Sequence, residues 1–241
     1  MPDSLEENIN KLTASHIFPI KFHLTTRKGD KSCQQNRTEQ NRTEQNRTEL
    51  KSKYFTEIDL KDFGFKKIGR NVQISSDVRI YGQENISIGN DVRIDDFCIL
   101  SAVNGSIDIG NYIFIARNSH LSGFFGIELH DFSSMAANTV IYSASDDYSG
   151  DYLTAQAIPQ KYTAHIGGPV IIGKHVIIGS SCTIMGPCNI GEGCSIGAMT
   201  LVQKDLLPWG IYVGIPCKRI KERKKGLLSL EKQFLKEKLI G

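Results

Sequence analysis

The chain has 241 residues, 40% of them hydrophobic, and 29 Lys and Arg against 26 Asp and Glu, for a formal net charge of +3. That length can bury a full core in one domain with appendages. The small basic excess, gathered mainly between Lys218 and Lys225, lacks the field that nucleic-acid binding needs, and no apolar run reaches the roughly 18 residues of a membrane insertion.

At the amino end, Met1 to Glu7 lacks the basic start and apolar stretch of a secretion signal, so a cytoplasmic location with reduced thiols is expected. Residues 1–62 read as an amino-terminal cap region, with a short helix and strand expected before residue 27. Residues 36–49 are a tandem Asn-Arg-Thr-Glu-Gln pentamer without an aliphatic or aromatic side chain. Such a run buries nothing that offsets its ordering entropy, so a mobile insert is expected. Its three Asn-Arg-Thr sequons, at Asn36, Asn41 and Asn46, read as by-products of the repeat. Tyr54 to Phe65 then looks like a cap leading into something larger.

From Ile68 aliphatic residues recur every six positions: Ile68, Ile74, Ile80; Ile88, Ile94, Leu100; and so on to Ile190, Ile196, Val202. A period of six fits neither a 3.6-residue helix nor a two-residue strand alternation. It marks an all-β solenoid, a parallel β-helix with a turn every six residues. Gly follows the aliphatic residue at seven sites, among them Ile172-Gly173 and Ile178-Gly179, and a small or β-branched residue stands four positions after it. The pattern predicts about six coils over residues 63–206, an extruded loop over 142–170, and a tail with an amphipathic helix over 207–241. That helix is expected from Lys218 onward, with Ile220, Leu227, Leu228, Leu230, Phe234 and Leu235 buried and the open end of the stack beneath it. Cys98, Cys182, Cys188 and Cys194 occupy the small inward position, the last three on three different faces, so neither zinc nor a disulfide is expected.

Ile172 to Ser181, Ile190-Gly191-Glu192-Gly193, Val202 to Asp205 and Gly214 to Ile220 resemble the hexapeptide-repeat acetyltransferases, whose β-helix is left-handed. General relatives are the galactoside and maltose acetyltransferases. Ile141 to Gly150 is more similar to the group that N-acetylates nucleotide-linked amino sugars for surface polysaccharides such as O-antigen, GDP-perosamine N-acetyltransferase among them. The resemblance covers about residues 63 to 225 and leaves out the pentamer run.

It implies a homotrimer that uses acetyl-CoA and no metal. The acceptor it implies is the amine of a GDP- or dTDP-linked amino deoxysugar. It places acetyl-CoA along the later coils, with Ser180 and Ala198 at the pantetheine arm and Lys204, Lys218 and Lys221 at the nucleotide end. Where sugar-hydroxyl relatives carry a base His at the start of the long loop, this chain has Asp146, which suits an amino acceptor. His120 is the expected base, with Asp146 orienting the amine and His130 in reserve. Asn118, Asp147 and Tyr148 are expected at the acceptor. The alternatives are an O-acetyltransferase, a non-catalytic scaffold, and a γ-type carbonic anhydrase. The anhydrase needs three converging His, and His120 and His130 share no repeat register with a third.

Overall fold

A computed structural model describes residues 54–155 and 157–240, without the side chains of residues 239 and 240. The pentamer run, its sequons, Cys33, His16 and His23 lie outside the described residues.

Each hexapeptide folds as a strand of two or three residues and a turn, and three hexapeptides close one coil. Two faces of the resulting prism are six-stranded and one is eight-stranded. The first face runs from Lys67–Ile68 to Cys188–Ile190, and the third from Arg79–Tyr81 to Leu201–Val202. The second runs from Gln73–Ile74 through Ser195–Ile196 to Gly210–Val213, so six coils are complete and a seventh begins. The hexapeptide repeats mark the coil as left-handed.

Pairing is parallel and in register: Ile88, Ile109, Leu129, Ile172 and Ile190 stack in one column, all buried. Each such side chain taken from water contributes about 1.5–3 kcal/mol. Cys182, Cys188 and Cys194 are buried and free, each beside a different face. Burial pushes the Cys188 thiol up to about 12 and that of Cys98 to about 11, so neither is a nucleophile.

Two turn columns hold residues with left-handed backbone. Asp91, Tyr112, Phe132 and His175 stand at the corner between the first and second faces; Phe97, Asn118, Asn138, Ser181 and Met199 stand between the second and third. Along the first corner, Asn90, Asn111 and Asp131 each use a side-chain oxygen to accept the backbone N–H one coil away. This ladder satisfies turn donors that no strand can reach.

At the start of the stack, helix α1 (Glu57–Asp62) carries a Thr56–Asp59 capping box and buries Leu60. Phe55, Phe63 and Phe65, partly buried, pack against the core beside it.

The carboxyl end differs from its expectation twice. Lys218–Glu222 is a strand, antiparallel to Gly210–Val213, and Ile220 is exposed. Helix α2 begins only at Leu227 and runs to Ile240. It does not cover the open end but lies along the first corner, where Phe234 meets the rings of Tyr112 and Phe132. Leu230 points outward, exposed. The reason is the corner itself. Glu231 accepts from Lys174 and, at 2.8 Å, from His175, while Lys238 reaches Asp91, and these pairs select which stripe of the helix faces the prism.

Candidate active site

On the third face the pleat sends Leu100, Leu121, Ile141 and Ile184 into the core. Their neighbours Ser101, Ser122, Tyr142 and Met185 therefore form an outer row, each opposite the next in register. The chain leaves the prism just after Tyr142 of this row. Ala144–Asp146 projects outward and pairs antiparallel with the returning strand His165–Gly167. Only glycine fits the return: Gly167 has φ 144°, and a Cβ there would lie 2.3 Å from the Ser143 carbonyl oxygen.

This hairpin overhangs the row and encloses two clefts. The first, about 620 Å³, contains the outer row together with Thr183, Ala144 and Tyr148. The second, about 480 Å³, lies under the loop tip among Thr154, Ala155, Ile158, Gln160 and Thr163. Both clefts are lined by Asn104, Phe124, Asp146 and His165, which form the wall between them.

Asp146 and His165 are directly opposite in the hairpin, with Asp146 Oδ1 3.5 Å from His165 Nδ1. The side chains are 41% and 29% exposed, open to a ligand without being free in water. The imidazole leans on Phe124, with ring centroids 4.7 Å apart. His165 is a site residue that the repeat pattern does not reveal. Nothing in the pattern signals that it returns opposite Asp146, because the pairing joins residues across an irregular excursion.

The other expected residues divide. His120 lies on the third face between Ile99 and Val140, its ring edge-to-face with Tyr142 at 5.5 Å. Burial lowers its pKa, so it is held neutral, but it stands beside the first cleft rather than in its lining. Asn118 is exposed in the corner turn just before it, its backbone N–H donating to the Asp96 carbonyl. Tyr148 is 85% exposed at the first cleft.

His130 is not brought to the site. It follows a strand of the first face, 3.3 Å from Glu128, at the corner that α2 occupies. Asp147 is also spoken for. Its carboxylate accepts from the Ser149 hydroxyl and from the backbone N–H groups of Ser149, Gly150 and Tyr152, with the Ser149 hydroxyl chiefly responsible for its lowered pKa. That carboxylate shapes the loop; the neighbouring one faces the clefts.

The residues expected along a CoA arm lie on the last coils and the strand pair that follows them. Ser180 and Ala198 occupy successive coils at the second corner, where the Met199 N–H donates to the Ser180 carbonyl. Gly179 allows the coils to close there, since a Cβ on it would sit 2.5 Å from the Ala198 nitrogen. Lys218 and Lys221 are exposed opposite Val213 and Ile211, and Lys204 lies near enough to Cys217 to oppose the upward push of burial on that thiol. This corner borders the third face. A flexible amide-bearing arm held there would deliver its end toward Thr183, Met185 and the first cleft.

Comparison with known proteins gives three results. Residues 169–204 match the family described as bacterial transferase hexapeptide (six repeats). The chain is 45% identical over 181 residues to a dTDP-4-amino-4,6-dideoxy-D-glucose acyltransferase of Escherichia coli, covering 75% of this chain and 94% of that protein. It is also similar to AntD, an N-acyltransferase from Bacillus cereus whose crystal structure contains dTDP and 3-hydroxybutyryl-CoA. There the TM-score is 0.74 at 45% identity, over 78% of this chain and 98% of the other. A variant of AntD in complex with dTDP-4-amino-4,6-dideoxyglucose and coenzyme A matches with the same TM-score and identity, over 78% of this chain and 100% of that one.

Proposed function

The chain belongs to the hexapeptide-repeat acyltransferases, and from that premise we propose that it transfers an acyl group from a CoA thioester to the amino group of a nucleotide-linked amino deoxysugar. The observation that carries the acceptor class is Asp146 at the wall between the two clefts, where a carboxylate can hold an ammonium group. The relatives' bound dTDP and amino sugar favour a dTDP-linked acceptor over a GDP-linked one.

Acyl transfer requires the amine close to the thioester carbonyl, a lone pair free to attack, and a stabilised oxyanion. In this reading the pantetheine arm follows the second corner past Ser180 and Ala198, with Lys204, Lys218 and Lys221 toward the phosphates. The acyl carbon then lies in the first cleft, and the hydroxyls of Ser101, Ser122 and Thr183 are among the neutral donors that line it. Asp146 fixes the amine from the opposite side. Acetyl is the donor that the sequence resemblance implies, while the 3-hydroxybutyryl-CoA bound by AntD makes a larger acyl group its direct competitor.

We further infer a homotrimer, a cytoplasmic location and a role in making surface polysaccharide such as O-antigen. Among the described residues no helix is long and apolar enough to cross a membrane. Mass measured by light scattering at micromolar protein concentration tests the trimer, and a monomeric mass sinks it.

A second reading, O-acyl transfer to a sugar hydroxyl, rests on the neutral His120 at the edge of the first cleft, because a hydroxyl needs a base. Thiol release separates the two. Acetyl-CoA and 3-hydroxybutyryl-CoA would each be offered with dTDP- and GDP-linked amino sugars and with the matching hydroxyl sugars. Turnover of an amino sugar alone is the expected result; turnover of hydroxyl sugars alone replaces it with the second reading.

A further inference from the structure

One step of this chemistry has no owner among the residues placed so far. The acceptor binds as an ammonium and must lose a proton before its lone pair can attack. Carboxylates as a class are weak proton acceptors for an ammonium, whereas imidazole titrates near neutrality.

Among the described residues four histidines can be compared. His175 is buried against Glu231, and as a carboxylate can only accept, its Nε2–H is spent there. His130 stands beside Glu128 on another corner. His120 packs against Tyr142 outside the cleft lining. His165 alone of the four lines both clefts, with its Nδ1 facing the Asp146 carboxylate. Their 3.5 Å separation is longer than a tight hydrogen bond. Contacts of this kind commonly tighten when the ligand binds.

The hairpin is built to preserve the pairing. Asp146 and His165 are opposed across an antiparallel ladder, Gly167 lets the return strand pass close to Ser143, and Phe124 backs the ring. Asp147, one residue further along, has its carboxylate consumed by the turn, so the loop's two adjacent acids have separate duties.

We propose that His165 is a positioning residue for Asp146 and the acceptor of the proton that Asp146 takes from the bound ammonium. The inference rests on the amino-acceptor reading above. The ammonium gives one proton through the Asp146 carboxylate to the imidazole, which becomes imidazolium, and the neutral amine attacks the thioester carbonyl. A C–N bond forms and the C–S bond breaks. The second nitrogen-bound proton leaves with the thiolate as the free thiol of CoA, and the imidazolium returns its proton to solvent.

The test is steady-state kinetics of His165→Gln and His165→Ala, from about pH 6 to about pH 9, on an amino sugar that the wild type acylates. Gln keeps an N–H for Asp146 but cannot take the proton. Near neutral pH, kcat is expected to fall about 100-fold, the lower end of what a positioned base contributes. KM should change far less. The deficit should shrink toward high pH, where the acceptor binds already deprotonated. A wild-type kcat in His165→Gln overturns the proposal, as does a deficit equal at every pH, which would mark a purely structural role. Should His165→Ala not fold, the Gln variant carries the decision alone. Wild-type turnover of hydroxyl sugars only would sink the acceptor reading first and this proposal with it. Wild-type turnover of an amino sugar beside an unaffected Gln variant would sink this proposal alone.

Discussion

The two corners of the prism that carry left-handed turn columns are built from the same repeat and end in opposite states. The first is covered: Asp91, Tyr112, Phe132 and His175 all contact α2, through Lys238, Phe234 and Glu231. Among the described residues the second carries no helix, and its Phe97 and Met199 are 62% and 71% exposed. The first corner spends its aromatic and charged side chains on the chain's own carboxyl end. The second keeps its strand edges and turns available next to the face that carries the clefts. On a solenoid, where each coil contacts only its neighbours, function is therefore assigned by what the non-repeating segments cover and what they leave open.

Several changes would break or sharpen that contrast. The largest effect should come from the core that both corners share. Ile172→Ala removes a fully buried side chain and should cost about 2–5 kcal/mol in chemical denaturation, whichever corner reports it. Next is Asp146→Asn, which keeps the shape of the hairpin but removes the charge proposed to hold the ammonium. A kcat loss of about 100-fold with an unchanged melting temperature is expected, and a wild-type rate would remove Asp146 from the site.

Smaller effects should follow at the corners themselves. Glu231→Gln should cost about 1–3 kcal/mol, because it weakens a charged hydrogen bond to a buried His, and it should leave kcat alone. Its pH dependence has a definite sign. Burial raises the Glu231 pKa, but hydrogen bonds from Lys174 and His175 outweigh burial and leave it below its ordinary 4.5. Its stabilisation is thus complete above that value and is lost as the pH falls through the depressed one. On acidification below about 4.5 the wild type should lose its advantage over Glu231→Gln, as followed by denaturation midpoints. At the open corner, Asn118 has φ 58°, so Asn118→Ala should cost about 1 kcal/mol while Asn118→Gly costs less. The smallest effect belongs to His130→Ala, on the covered corner and away from the clefts. Stability within about 0.5 kcal/mol of wild type and an unchanged kcat are expected, and a large loss of activity would return His130 to the candidates.

Much of the architecture was legible in advance. The six-residue recurrence of Ile, Leu and Val, with small residues four positions later, specifies strand, turn and inward face together, and the register follows because each coil repeats the last. The buried inward place of Cys98, Cys182, Cys188 and Cys194 was equally readable. These are local or periodic properties of the chain.

What the sequence could not determine lies where periodicity stops. His165 meets Asp146 through an antiparallel pairing closed by Gly167, and α2 turns along the first corner because Glu231, Phe234 and Lys238 find partners supplied by four successive coils. His130, the reserve base, lies outside the two clefts for the same reason, because its place on the first corner is set by which face its strand joins. By itself the sequence determined the prism and the acyltransferase family, because both are written in short repeats and contiguous motifs. Only the tertiary structure decided which carboxylate faces which imidazole and which corner stays open, because those contacts join residues that no repeat relates.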